Sequence, residues 1–367
     1  MACDVQQQKF ISNNWREILN TKPHNKFTSA CRKVLGNLVP RAGLLAVAVS
    51  AVGMLTLAND VSAAEKWKHG ILTAKGDAGF FFMAENKGFY KKHGLDVEII
   101  QFRGSKDLLR AVLAGEVDTA DVTPSDGTIA FEKGAKLKYI GSTMVGYPYT
   151  LYARKGITKP EELAGKTMGI SGVGSAPHIF GLVMLRALGV KVEDMKLANA
   201  GGSGSRMKAL IGGRIDVTAG ASEFTPKAEQ MGIVVLGQAS KLAPLFPRYY
   251  ITASDETLKT RGEAAVNFLA GQMEGLDYAL KHRDETIALT AKINNNKADN
   301  PEYSYMFDEI KNNKYISTTS EIKRPPLVWM QDMMIELGSQ KKKVNIENFI
   351  DDSYRKKALA KVNLNAE

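Results

Sequence analysis

The sequence predicts an α/β protein made of two similar, doubly wound lobes joined by a two-segment hinge and followed by a helical tail. Three observations carry this. Short apolar strands alternate with helices from Lys68 onward, at the spacing of β-α-β units in a mainly parallel sheet. The same order then recurs at a constant offset of 98 residues. Leu72-Thr73 falls on Ile170-Ser171, Gly76 on Gly174, Gly104-Ser105 on Gly202-Ser203, Gly115 on Gly213, and Val117-Asp118 on Ile215-Asp216. Glycine turns are common to all such units, so the weight lies on one offset holding through three of them. Beyond Thr252 the pattern changes to helical periodicity alone.

Taken in order, lobe one spans 66–147. Lys68 to Ala74 reads as a strand, Lys75-Gly76-Asp77-Ala78-Gly79 as a loop, and Phe80 to Lys92 as a helix that stops at Gly94. Leu95 to Phe102 alternates as a second strand. Gly104-Ser105 opens a helix with Leu108, Leu109, Val112 and Leu113 inward, ended by Gly115. Val117 to Val122 is a third strand, and Thr123-Pro124-Ser125-Asp126-Gly127 starts another helix. Residues 148–156 and 246–252 read as strands crossing to and from lobe two, 157–245. In lobe two a strand, Thr167 to Ser171, runs through Gly172-Val173-Gly174-Ser175-Ala176-Pro177 into a helix with a wide apolar face (Ile179, Phe180, Leu182, Val183, Leu185). Residues 253–367 rejoin lobe one as helices near 262–282, 285–293, 302–312, 327–337 and 351–361.

The N-terminus differs in kind. Arg32, Lys33 and Arg41 precede an uncharged run, Ala42 to Ala58, and Val61-Ser62-Ala63-Ala64 supplies small residues for cleavage. Residues 1–64 therefore read as a secretory leader with an over-extended start, and the protein as periplasmic. A retained anchor is the competing reading, and the apolar run is short for one. Both cysteines, Cys3 and Cys31, precede the cut, so the mature chain has no disulfide, thiol nucleophile or thiolate site. It retains 42 basic and 36 acidic residues. That mild, dispersed excess does not point to nucleic acid.

Three motifs are decoys. Gly165-Lys166-Thr167 ends like a phosphate-binding loop, but Pro160 stands at the position of its first glycine and the tripeptide enters a strand. Gly172-x-Gly174 lacks the third glycine of a dinucleotide fingerprint, having Pro177 there. Ser171 and Ser175 lack a nucleophile-elbow frame. His69, His93, His178 and His282 show no metal-ligand spacing.

Gly88-Phe89-Tyr90-Lys91-Lys92-His93-Gly94-Leu95-Asp96-Val97-Glu98 resembles the K-G-F-[FY]-K-K-x-G-L-D-V-E segment of a family of solute-binding proteins of ABC importers. Pro160-Glu161-Glu162-Leu163-Ala164-Gly165-Lys166-Thr167-Met168-Gly169-Ile170 is similar to its P-E-D-L-x-G-K-x-x-G-V, and Gly174-Ser175-x-x-His178 follows in place. The family is the NMT1/THI5-like one, also called SsuA/TauA-like, whose members bind alkanesulfonates, taurine, nitrate or thiamine precursors. The resemblance, over about Lys68 to Thr252, implies a type II periplasmic-binding-protein fold closing over a ligand between its lobes. It does not choose the ligand.

Ligands of open α/β sheets lie beyond the carboxyl ends of strands, at helix starts. That rule names Lys75, Gly76, Asp77, Phe80, Phe81, Arg103, Ser105, Thr123 and Ser125 in lobe one, and Ser171, Gly174, Ser175, His178, Gly202, Ser203, Ser222 and Glu223 in lobe two. Helix N-termini and small hydroxyls favour an anionic group. The bland readings stand beside these: core aromatics for Phe80 and Phe81, a solvated strand end for Arg103, helix caps for the serines. Asp77, Asp126 and Glu223 complicate a purely anionic guest. The expectation is a non-enzymatic binding protein without cofactor or metal, delivering a small organic anion (a sulfonate or carboxylate, with or without an aromatic ring) to an ABC permease. The alternative is a pyrimidine-precursor binder, or an enzyme like the pyrimidine-forming side of the family. For the enzyme, the absence of a cysteine-rich iron motif counts against it.

Overall fold

The structure, a computed structural model, describes residues 64–364. Residues 1–63, with the leader's apolar run and both cysteines, lie outside them. Two five-stranded sheets form the two lobes. Sheet one has β1 (Glu65–Leu72) beside β2 (Leu95–Phe102) and β3 (Thr119–Val122), all parallel. β10 (Tyr249–Ser254) then runs antiparallel between β3 and β4 (Leu137–Met144). Sheet two repeats the plan. β6 (Thr167–Ile170) is parallel to β7 (Lys196–Asn199) and β8 (Val217–Ala221), and β5 (Tyr149–Arg154) lies antiparallel between β8 and β9 (Ile233–Gln238). Each sheet thus takes its antiparallel strand directly after a crossing from the other lobe. This is the two-lobed architecture of a type II periplasmic binding protein.

The internal repeat extends to hydrogen bonds. Asp118 closes the bottom of sheet one, its N–H donating to Lys68 O at 2.9 Å and its Oδ2 accepting the Lys68 N–H at 2.7 Å. Asp216, 98 residues on, does the same with Thr167, at 2.8 Å for both bonds. Gly115 (φ +71°) and Gly213 (φ +69°) occupy the left-handed region at equivalent turns, where a side chain would be strained.

The helices of lobe one are α1 (Ala78–Asn86), α2 (Phe89–Lys92), α3 (Ser105–Ala114) and α4 (Pro124–Glu132). Lobe two carries α5 (Ala176–Ala187), α6 (Ser203–Ile211) and the short α7 (Ala239–Leu242). The helix expected over Phe80 to Lys92 is divided, because Gly88 (φ +74°) turns the chain between α1 and α2. The tail comprises α8 (Asp255–Lys281), α9 (Arg283–Ile293), α10 (Pro301–Asn312), α11 (Arg324–Glu336) and α12 (Asp352–Lys361). α8 starts earlier than expected, capped by Ser254 Oγ accepting the Thr257 N–H at 3.0 Å, and kinks at Arg261. It lies against α1 and α2 through Gly271 and Gly275. A Cβ on Gly275 would stand 2.5–2.7 Å from Ala84, backbone included. Most of the tail packs on lobe one, but α10 also packs on the 3-10 turn Ser222–Lys227 of lobe two. Among the described residues no helix is long and apolar enough to cross a membrane.

Candidate functional site

The lobes meet where β1 and β8 end. The Gly76 N–H donates to Glu223 Oε2 at 2.7 Å, across 147 residues of sequence. A Cβ on Gly76 would lie 2.9 Å from that oxygen, so glycine permits the approach. Beside it Asp77 forms a buried ion pair with Arg248, whose guanidinium lies 4.5 Å from the Tyr249 ring centre and 5.6 Å from that of Tyr147. Burial acts to lower the Arg248 pKa, and Asp77 with the neighbouring phenols more than reverses it, so the guanidinium stays charged. Asp77, an obstacle to an anionic guest when read from the sequence, is therefore neutralised within the protein.

On the other side of the junction Ser171 follows β6. Its hydroxyl donates to Gly201 O at 2.9 Å and accepts from Arg206 Nη1. Arg206, on α6, is only 1 % exposed. It donates to Gly201 O at 2.7 Å, Ala219 O at 3.0 Å and Thr218 Oγ1 at 3.1 Å. All these acceptors are neutral oxygens, so its buried charge is solvated but not cancelled. The charge is felt at Tyr149. Burial raises that phenol, yet Lys75, Arg206 and Arg248 together hold it below its usual value. Lys75 Nζ stands 6.0 Å from the Tyr149 ring centre. Three cations from both lobes and the return segment thus converge on one tyrosine of β5.

His178 and Gly174 form a second feature of this face. His178 Nδ1 accepts the Gly174 N–H at 3.1 Å, which puts the proton of the neutral ring on Nε2. That Nε2 is buried without a partner. Burial lowers the His178 pKa to about 4, so at neutral pH the ring is an uncharged donor with one unspent N–H. Ser175 is the N-cap residue of α5, but its hydroxyl donates to Gly172 O at 2.7 Å instead of capping. Pro177 removes one amide donor from the start of that helix.

The other expected residues distribute as follows. Gly202 is exposed, and Ser203 Oγ accepts the Ala221 N–H at 3.0 Å. Ser222 Oγ lies 2.9 Å from Thr150 Oγ1 and donates to Glu309 Oε1 at 3.0 Å. Burial raises the Glu223 pKa, with Lys75 opposing it. Phe80 stacks on Phe307 at 5.4 Å and Phe81 meets Tyr249 edge-on at 5.8 Å. Arg103 is exposed. Ser105 and Thr123 are tied to each other through Asp126, whose pKa burial raises against the pull of both hydroxyls. Ser125 Oγ is buried without a partner. Sequence reasoning missed Tyr147, Tyr149, Arg206, Arg248 and Glu309. For Arg206 a signal existed: it stands on the same helical face as Met207 and Leu210, where a solvated arginine is out of place.

A groove of about 460 Å³ lies elsewhere, on the flank of lobe one formed by α1, α2, β2 and α9. None of the expected site residues lines it. Among the described residues no group of three His, Cys, Asp or Glu is placed to hold a metal ion.

The family model described as NMT1/THI5 like matches residues 76–286. A candidate binding protein of Brucella abortus is 25 % identical over 281 residues, covering 73 % of this chain and 84 % of its own. A 4-amino-5-hydroxymethyl-2-methylpyrimidine phosphate synthase of Saccharomyces cerevisiae is 27 % identical over 239 residues, 58 % of this chain and 68 % of its own. Among solved structures, the periplasmic aliphatic sulphonate binding protein SsuA of Escherichia coli superimposes with a TM-score of 0.63 at 20 % identity, over 78 % of this chain and 92 % of its own. At that identity the likeness establishes the fold alone.

Proposed function

The chain belongs to the NMT1/THI5-like family, and from that premise we propose that it is a periplasmic, non-catalytic solute-binding protein of an ABC importer, whose guest is a small organic anion held between the lobes and passed to a permease. The observation that carries this is the buried charge of Arg206, which meets only neutral oxygens and stands with Lys75 around Tyr149. A sulfonate or carboxylate entering there supplies the missing negative charge. The neutral His178 Nε2–H offers it a donor without a second countercharge. The phenol rings of Tyr147, Tyr149 and Tyr249 are buried at this junction and would meet an aromatic body only when the lobes part.

The experiment is a thermal-shift panel of alkanesulfonates, aromatic carboxylates, nitrate and pyrimidines. At a hundred times its Kd, a ligand that binds only the folded protein stabilises it by about 2.7 kcal/mol, a readily measured rise in Tm. A rise confined to the organic anions supports the proposal, and no rise in any class overturns it. One observation favours a second reading, a pyrimidine-precursor ligand. Buried Glu223 stands at the junction beside Lys75 and can accept a ring N–H. A response to pyrimidines alone selects that reading.

A further inference from the structure

Glu309 belongs to the tail, yet its carboxyl is buried against lobe two. It is 7 % exposed, Oε1 accepts the Ser222 hydroxyl at 3.0 Å, and Oε2 is buried with no hydrogen-bond partner. The surrounding contacts bind α10 to lobe two. Lys227 Nζ donates to Glu302 at 2.9 Å and to Asn300 Oδ1 at 3.1 Å, and Gln238 Nε2 donates to the Tyr305 hydroxyl at 2.6 Å. The end of lobe one, just before the first crossing segment, touches the same place. Tyr315 O accepts the Val145 N–H at 2.8 Å, and a Cβ on Gly146 would lie 1.9 Å from the Tyr315 ring. Tail, lobe two and the end of lobe one therefore meet around this one acid.

The titratable groups that face Glu309 are Tyr152 on β5, Tyr305 on its own helix, Tyr315 beyond it and Arg248 on the return segment. Burial raises all three phenols, which are uncharged at neutral pH. Arg248 is engaged by Asp77. Nearby on the 3-10 turn, Glu223 is held by Gly76 and Lys227 by Glu302. A carboxylate here would be a charge with one hydroxyl donor and no countercharge of its own.

We propose that Glu309 couples closure of the lobes to proton uptake, entering the closed junction as a neutral acid and regaining its charge in water when lobe two swings away from α10. The inference rests on the opening and closing assumed in the proposed function, but not on the identity of the ligand. Burial pushes the Glu309 pKa up to about 7, with Ser222 and Arg248 pulling the other way. In the open form an exposed carboxyl titrates near its ordinary value, so the closed form binds more protons in between. Closure is therefore favoured as pH falls through 7 and disfavoured as pH rises through it. Glu223, also raised by burial, acts with the same sign. His178, lowered to about 4 by burial, is neutral in the closed form between pH 6 and 8.

The test measures interlobe distance by pulsed electron resonance without ligand. Spin labels are placed at Arg110→Cys on α3 and Lys208→Cys on α6, both exposed, with Cys3 and Cys31 replaced by serine. The expected closed-to-open ratio is roughly tenfold greater at pH 6 than at pH 8. Glu309→Gln should abolish most of that dependence and stay closed at both values, while Asp308→Asn, on the same helix but paired with Arg283, should retain it. If the glutamine variant does not fold, Glu309→Asp withdraws the acid from Ser222 and should shift the midpoint. A ratio that does not change with pH, a dependence that survives Glu309→Gln, or a midpoint unshifted in Glu309→Asp overturns the proposal. A failed ligand screen would leave this result intact, so the two failures are distinguishable.

Discussion

At the scale of single residues, the junction is organised by which charges are matched and which are not. Asp77 and Arg248 are matched, so removing one partner strands the other in a dry site. Asp77→Asn should cost about 3–5 kcal/mol in urea unfolding, and a loss under 1 kcal/mol would show that water reaches the pair. His178 makes a prediction in pH. Its folded pKa is depressed to about 4, so between there and its ordinary value the unfolded chain binds the extra proton. Stability therefore rises with pH across that window and is fully present above it. His178→Gln should flatten this slope, visible as an acid-side Tm profile less steep than that of the native chain. These residues also show where the sequence was legible. His178 and Gly174 stood out by their spacing. Arg206 was marked only by its place on an apolar helical face, because its role depends on oxygens brought from Ser171, Gly201, Thr218 and Ala219, which only the folded sheet assembles.

Among the elements, the strand-loop-helix units were readable because hydrophobic alternation and glycine turns are local signals. The offset of 98 residues anticipated equivalent turns at Gly115 and Gly213 and equivalent closures at Asp118 and Asp216. The break at Gly88 and the early start of α8 were not foreseen, since an apolar period carries through both. β4 and β9 escaped notice as well. They are sheet-edge strands, and each pairs with a neighbour distant in sequence or delivered by a crossing. The contact of α8 with α1 depends on Gly275, where an added methyl meets the backbone at Ala84. Gly275→Ala should destabilise by about 1–3 kcal/mol through overpacking, despite alanine's better helix propensity. An unchanged or raised Tm would mean that the helices can separate cheaply.

For the molecule as a whole, two sheets exchange strands through two crossings, and the tail returns to lobe one while α10 reaches across to lobe two. Cross-lobe contacts are polar (Gly76 to Glu223, Ser222 to Glu309, Lys227 to Glu302, Arg186 to Glu336) and aromatic (Tyr147 on Phe180, Phe246 against Trp329), and the buried apolar cluster runs through both sheets. The polar contacts can be exchanged for water, whereas parting the lobes at Tyr147, Phe180 and Phe246 would also uncover aromatic surface. That α10 spans the junction was beyond the sequence, because a helix's apolar face does not reveal which of two lobes it will cover. The positive junction is the part on which the proposed function depends. The most direct measurement is calorimetric titration of the best organic anion from the panel against the native chain and Lys75→Ala. Lys75 is half-buried and forms no ion pair among the described residues, so the variant should fold and bind about tenfold more weakly, a loss of about 1.4 kcal/mol. Equal affinity in the two proteins would contradict capture of an anion between the lobes.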